Sequence, residues 1–153
     1  MNSIFDKNKK NDCIFCNYNS LPKSFLFLPK KNASAWGCLD INPTSKGHSL
    51  VITNKHHKSI DTISGEEWKG IGKLVREYTL LLKRKFSTIK GFNYVINSGK
   101  EAYQQIEHFH LHIIPKYKKN EGYILTIRQK AQEKKNLLKT YKELCNSLNK
   151  KKE

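Results

Sequence analysis

His108-Phe109-His110-Leu111-His112-Ile113-Ile114-Pro115 is the stretch whose reading decides the fold. Side chains alternate between the two faces of a strand. As a strand, this run places His108, His110 and His112 on one face and Phe109, Leu111 and Ile113 on the other. The apolar face can pack on a core while the imidazole face is presented to a cleft. For a single histidine, a satisfied core or surface role would be the favoured reading. Three at period two, opposite an apolar face, have little value as packing. One metal cannot hold all three, because His108 and His112 lie about 13 Å apart at roughly 3.3 Å per residue. One or two of them remain possible ligands. Imidazole titrates near neutrality, so such a row suits a nucleophile, base or acid. A phosphorus centre with a good leaving group is a fitting target: a neutral ring nitrogen attacks it and water cleaves the resulting phosphoramidate.

Working outward from this strand, Phe92 to Asn97 reads as its partner. The short connection Ser98 to Tyr103, with Gly99, makes the two a hairpin. The strand itself runs from Ile106 to Ile114 and ends at Pro115. Upstream, Ser64 stands three residues before Glu67, the capping-box spacing. Trp68, Ile71, Val75, Tyr78, Leu82 and Phe86 then form one helical face. Three earlier strands are expected at Phe25–Leu28, Ala33–Ile41 and His48–Thr53. Asn42-Pro43-Thr44-Ser45-Lys46-Gly47 forms a loop between the last two. Thr126 to Leu148 carries Leu137, Tyr141, Leu144 and Leu148 at helical spacing. The fold class is therefore α+β, a five-stranded antiparallel sheet with a central helix and a C-terminal helix. Residues 1–11 read as a disordered leader, 12–122 as the folded domain, and 123–153 as the C-terminal helix with a lysine-rich tail.

The 153 residues suit one domain, and 37% apolar content suffices for one core. No run approaches the roughly 18–20 apolar residues of a membrane span, and no signal-peptide pattern opens the chain. The expectation is a soluble, cytoplasmic protein that does not engage membranes. The net charge of +16 suggests nucleic acid, but only Arg76, Arg84 and Arg128 are arginines. Base reading and bidentate phosphate binding favour Arg. The lysines are scattered, so a dedicated nucleic-acid site is not expected, while attraction for phosphate-rich small molecules is. Cys13-Ile-Phe-Cys16 has the spacing of metal or redox pairs. Cys38 and Cys145 read as buried or incidental thiols.

At the histidine run the sequence resembles the histidine triad family, whose motif is His-x-His-x-His followed by two apolar residues. Asn97-Ser98-Gly99 and Gln104 sit upstream at the family's spacing, and Pro115-Lys116-Tyr117 follows as a close variant of its ending. Leu39-Asp40-Ile41-Asn42-Pro43, Gly47-His48 and Leu50-Val51-Ile52 match the segment before the central helix. Several spaced motifs agree in order from about Cys13 to Gly122, which makes the resemblance specific.

The resemblance implies a hydrolase that cleaves at the α-phosphate of nucleoside phosphoramidates or dinucleoside polyphosphates and releases a nucleoside monophosphate. His110 would be the nucleophile. His112 would bind the α-phosphate and assist the leaving group, and Gln104 would hydrogen-bond the phosphate or bridging atom. Asp40 would accept from the ribose hydroxyls. Asn97 would help position the phosphate, and Gln105 would lie beside it where the family commonly has Ser. Ile14, Phe15, Ile41 and Leu50 would form the purine slot, though each could be ordinary core. Cys13, Cys16, His48 and His108 resemble the ligands of zinc-containing members, a closed and structural set. Cys13 and Cys16 as free thiols is the alternative. His56 would have a supporting role. No redox cofactor is implied. The partners implied are an AMP-containing purine nucleotide and a second copy of the chain, with joined sheets and C-terminal segments near the partner's site. Tyr103 stands where the family usually has Gly, so that a ring narrows the phosphate end or shifts the loop. Ile113-Ile114-Pro115 is closer to the bacterial and dinucleoside-polyphosphate-cleaving branches. A nucleotide-binding regulatory module with little turnover is the rival reading.

Overall fold

The computed structural model describes residues 13–17, 21, 26–124 and 134–149. The leader, the expected strand residue Phe25, the start of the C-terminal helix at Thr126 and the tail beyond 149 lie outside them. Four strands and two helices follow in order: β1 (Ala35–Leu39), β2 (Ser49–Thr53), α1 (Gly65–Lys85), β3 (Gly91–Ile96), β4 (His110–Lys116) and α2 (Lys134–Asn149). The sheet order is β1-β2-β4-β3, with every neighbouring pair antiparallel.

Each element forms for a local reason. Ser64 caps α1 by accepting from the Glu67 N–H, and the Glu67 carboxylate accepts from the Ser64 N–H in return. Two donors that the helix cannot satisfy internally are thereby paired. Ile71, Leu74, Tyr78 and Leu82 of α1 are buried against Phe109, Leu111 and Ile113. Burying an aliphatic side chain of this size contributes about 1.5–3 kcal/mol, so this face holds helix to sheet. Gly37 permits the close approach, since a Cβ there would overlap the Tyr78 ring. The opposite sheet face carries a second cluster of Phe15, Trp36, Cys38, Leu50 and Ile52.

Three expectations are corrected. The sheet has four strands among the described residues rather than five. Of the first expected strand, Phe27 makes only an isolated bridge to Cys38. Leu28 still donates its N–H to the Gly37 carbonyl, and the chain then turns back at Asn32, whose N–H donates to Ala35, so no longer ladder forms. Second, β4 starts at His110, not Ile106. The Phe109 N–H is taken by the carbonyl of His57, in the loop after β2. Third, β4 continues through Pro115 to Lys116. Lys116 accepts from Lys90 on the β3 side, so the Pro115 backbone faces the β2 side. There the ladder has already ended at Ser49 opposite Ile113, and no hydrogen bond is forfeited. No described helix is long and apolar enough to cross a membrane.

Candidate active site

A cavity of about 410 Å³ opens on the sheet face opposite α1. His110 and His112 of β4 form its floor. The expected purine-slot residues Ile14, Phe15, Ile41 and Leu50 line it, together with Asp40, His48, Asn97 and Gln105. Sequence reasoning did not single out Asn42, Thr44 or Tyr123, which also line it.

Backbone groups fix the tautomers of the histidine row. Nδ1 of His110 lies 2.8 Å from the carbonyl oxygen of His108. A carbonyl can only accept, so Nδ1 carries the proton and Nε2 keeps a free lone pair. His110 is 6% exposed, and burial lowers its pKa further toward the neutral form. The backbone N–H of Thr44 donates to Nδ1 of His48 at 3.2 Å, which leaves the His48 proton on Nε2. That atom lies 3.0 Å from Nδ1 of His112. His112 therefore accepts at Nδ1 and carries its own proton on Nε2. Adjacent histidines, their ring centres 5.1 Å apart, thus offer a lone pair and a donor respectively.

Asp40 Oδ2 lies 3.4 Å from His48 Nε2 and 3.6 Å from His112 Nδ1. Burial alone would raise the Asp40 carboxyl. When His48 and His112 are protonated, the hydrogen bond from His112, the Asn42 N–H and the two positive charges outweigh burial and hold its pKa below the usual value. His48 is lowered by burial, with Asp40 opposing and His112 reinforcing the shift.

A second cluster lies at the other end of the row. Cys13, Cys16, His56 and His108 bring one ligand atom each to within 4.8 Å of one another and could hold a metal ion. Sγ of Cys13 is 3.3 Å from Nδ1 of His108, and Sγ of Cys16 is 3.2 Å from Nδ1 of His56. Nε2 of His108 donates to the carbonyl oxygen of Thr53 at 2.8 Å, so its Nδ1 is bare and aimed at the thiols. Ligands at zinc-like distances around a tetrahedron sit about 3.5 Å apart, so the donor set fits. Burial lowers His108 to about 4, which keeps it in the neutral, ligating form.

This cluster corrects the expected ligand set: His56 stands in it, not His48. The β2–β4 register pairs Ile52 with His110. Extended, it places His108 opposite Asn54, six residues beyond His48, or roughly 20 Å along the strand. The pairing register alone excludes His48, and the loop after β2 brings His56 to the cysteines. Gln104 is also placed differently from expectation. Its Oε1 accepts from the Gly99 N–H and its Nε2 donates to the Lys58 carbonyl, both at 2.8 Å. Both ends brace the loop, and Gln105 rather than Gln104 lines the cavity. A short 3-10 turn at Lys100–Ala102 and a left-handed Tyr103 redirect the chain there. Cys38 is a buried thiol raised to about 12 by burial and then by Asp40, which makes it inert.

The antiparallel sheet, the helix across one face and the histidine row on the other define an α+β protein of the histidine triad fold. The HIT domain family model matches residues 23–119, and the chain belongs to this family. An uncharacterized HIT-like protein from Mycoplasma pneumoniae is 35% identical over 78% of this chain and 81% of its own. An adenosine 5'-monophosphoramidase from Schizosaccharomyces pombe is 37% identical, covering 75% of this chain and 80% of its own. A HIT family protein from Bacillus anthracis superposes with a TM-score of 0.79 at 29% identity, covering 90% of this chain and 97% of that one.

Proposed function

We propose that the protein is a nucleotide hydrolase cleaving at the α-phosphate of nucleoside phosphoramidates or dinucleoside polyphosphates. The observation that carries this reading is the His110 tautomer, with its buried neutral ring bonded at Nδ1 to the His108 carbonyl. The Nε2 lone pair attacks phosphorus, and the bond to the leaving group breaks as a nucleotidyl-histidine forms. His112 Nε2–H hydrogen-bonds the phosphate and gives its proton to the leaving group. Water then hydrolyses the intermediate, releasing a nucleoside monophosphate. Ile14, Phe15, Ile41 and Leu50 hold the purine of the AMP unit, and Asp40 accepts from the ribose. Asn97 and Gln105 lie at the phosphate end. Family membership and the monophosphoramidase relative support this reading.

The cysteine–histidine cluster holds zinc in a structural role, with Cys13, Cys16, His56 and His108 as ligands. When bound, the ion would tie the N-terminal turn to the start of β4. The chain works as a homodimer. The edge position of β3, with Tyr94 48% exposed, supports this, as does the uncovered apolar stripe of α2.

The test is hydrolysis of adenosine phosphoramidate and a diadenosine polyphosphate by wild type and His110→Ala. Cleavage by the wild type and loss of at least about 10³-fold in the variant is expected. Full activity in His110→Ala would overturn the mechanism. The rival reading is a purine-nucleotide-binding module, favoured by Gln104 being committed to the loop. It takes over if the wild type binds AMP but cleaves neither substrate.

A further inference from the structure

The cavity crosses the sheet in a definite direction. The apolar group of Ile14, Phe15, Ile41 and Leu50 lies over β1 and β2 or the loop between them. Asn97 and Tyr103 follow β3, at the other edge. Because the order is β1-β2-β4-β3, His110 and His112 stand between these two ends. A substrate with its purine in the apolar slot and its phosphorus over His110 directs its leaving group toward Tyr103.

Tyr103 is unusual in three respects. It is 84% exposed yet lines the cavity. It holds φ at 62°, a left-handed conformation that a non-glycine residue adopts at a cost. And the loop enforces that conformation: Tyr103 N–H donates to Lys100, Gln104 N–H donates to Gly99, and the Gln104 side chain bridges Gly99 and Lys58. A braced loop thus holds a bare aromatic face at the mouth of the site. The net charge of +16 favours polyanionic leaving groups over cationic ones. A flat ring beyond a polyphosphate meets both features.

We propose that Tyr103 is a specificity-determining residue that stacks on the base of the leaving nucleotide, selecting dinucleoside polyphosphates over substrates with small leaving groups. This rests on the hydrolase reading above and names its substrate class. The experiment compares kcat/KM for diadenosine triphosphate and adenosine phosphoramidate in wild type, Tyr103→Asn and Tyr103→Phe. Asn tolerates the left-handed conformation, so the loop is kept. Removing a base–aromatic stack should shift the ratio of the two kcat/KM values about tenfold against the dinucleotide, and Tyr103→Phe should restore it. A ratio unchanged in Tyr103→Asn overturns the proposal. Binding to His110→Ala separates this result from failure of the hydrolase reading. On that background Tyr103→Asn should weaken diadenosine triphosphate about tenfold relative to AMP. Equal loss for both ligands overturns the stacking role, whether or not the wild type turns over.

Discussion

His108, His110 and His112 are one residue type at period two, yet each is held in a different bonding state. Thr53 takes the Nε2 proton of His108, and the His108 carbonyl takes the Nδ1 proton of His110. His48, fixed by the Thr44 N–H, donates to His112. His48 is thus a positioning residue: it acts through His112. Its replacement by Leu frees His112 to adopt the wrong tautomer. We expect kcat to fall about 10²-fold with KM nearly unchanged, measured on whichever nucleotide the wild type cleaves. A KM effect with normal kcat would contradict the tautomer argument. Asp40→Asn bears on the proposed ribose contact. Loss of a charged hydrogen bond should cost about 1.5–3 kcal/mol of kcat/KM on ribonucleotides and much less on the 2'-deoxy analogue. At the cysteine cluster, elemental analysis should find one zinc per wild-type chain and a marked loss in Cys16→Ser, while His48→Leu retains it. Loss of zinc in His48→Leu would restore the original ligand set.

At the level of elements, α1 is the strut beneath the histidine strand, and its N-terminus is the part most open to test. Ser64→Ala removes the cap and should cost about 1 kcal/mol in denaturant unfolding. Glu67 reports on the same cap through pH. Hydrogen bonding from Lys55, then from Ser64, with His57 adding to it, holds the Glu67 pKa down at about 2, against an ordinary 4.5. A depressed acid stabilises the fold above its unfolded pKa and loses that contribution as pH falls through its folded pKa. Glu67→Gln should therefore lower Tm at pH 6, with the difference closing between pH 4.5 and 2. A pH-independent difference would assign the effect to packing. Where α1 meets the sheet, β1 depends on the missing side chain of Gly37, and Gly37→Ala should be destabilising because neither the Tyr78 ring nor the Leu50 carbonyl has room.

The whole molecule has two surfaces that the described chain leaves uncovered. α2 packs on none of the other elements among the described residues, while Leu137, Leu138, Tyr141 and Leu144 are 51–64% exposed. β3 is a sheet edge. The proposed second copy would cover both. Sedimentation should show a dimer for the wild type and a shift toward monomer for Leu144→Lys. A wild-type monomer at all concentrations would remove the dimer from the account.

The sequence by itself determined the histidine row, its apolar reverse face, the capped helix and the pairing of β3 with β4, though their connection runs over 97–109 rather than the short Ser98–Tyr103 turn expected. Each is a local pattern of period two or 3.6, or a short-range spacing. The gathering of Asp40, Asn97, Gln105 and the four apolar slot residues around one cavity was legible only through resemblance. Which residues join the cysteines was decided by tertiary structure alone. His48 is nearer to Cys16 in sequence than His56 is, yet the antiparallel register sets His48 apart from the cysteines by the length of a strand. The turn of Gln104 away from the cavity likewise depends on a left-handed backbone at Tyr103, a conformation that residue type would argue against. Contacts between distant segments depend on register and loop geometry, and neither is written in the local sequence pattern.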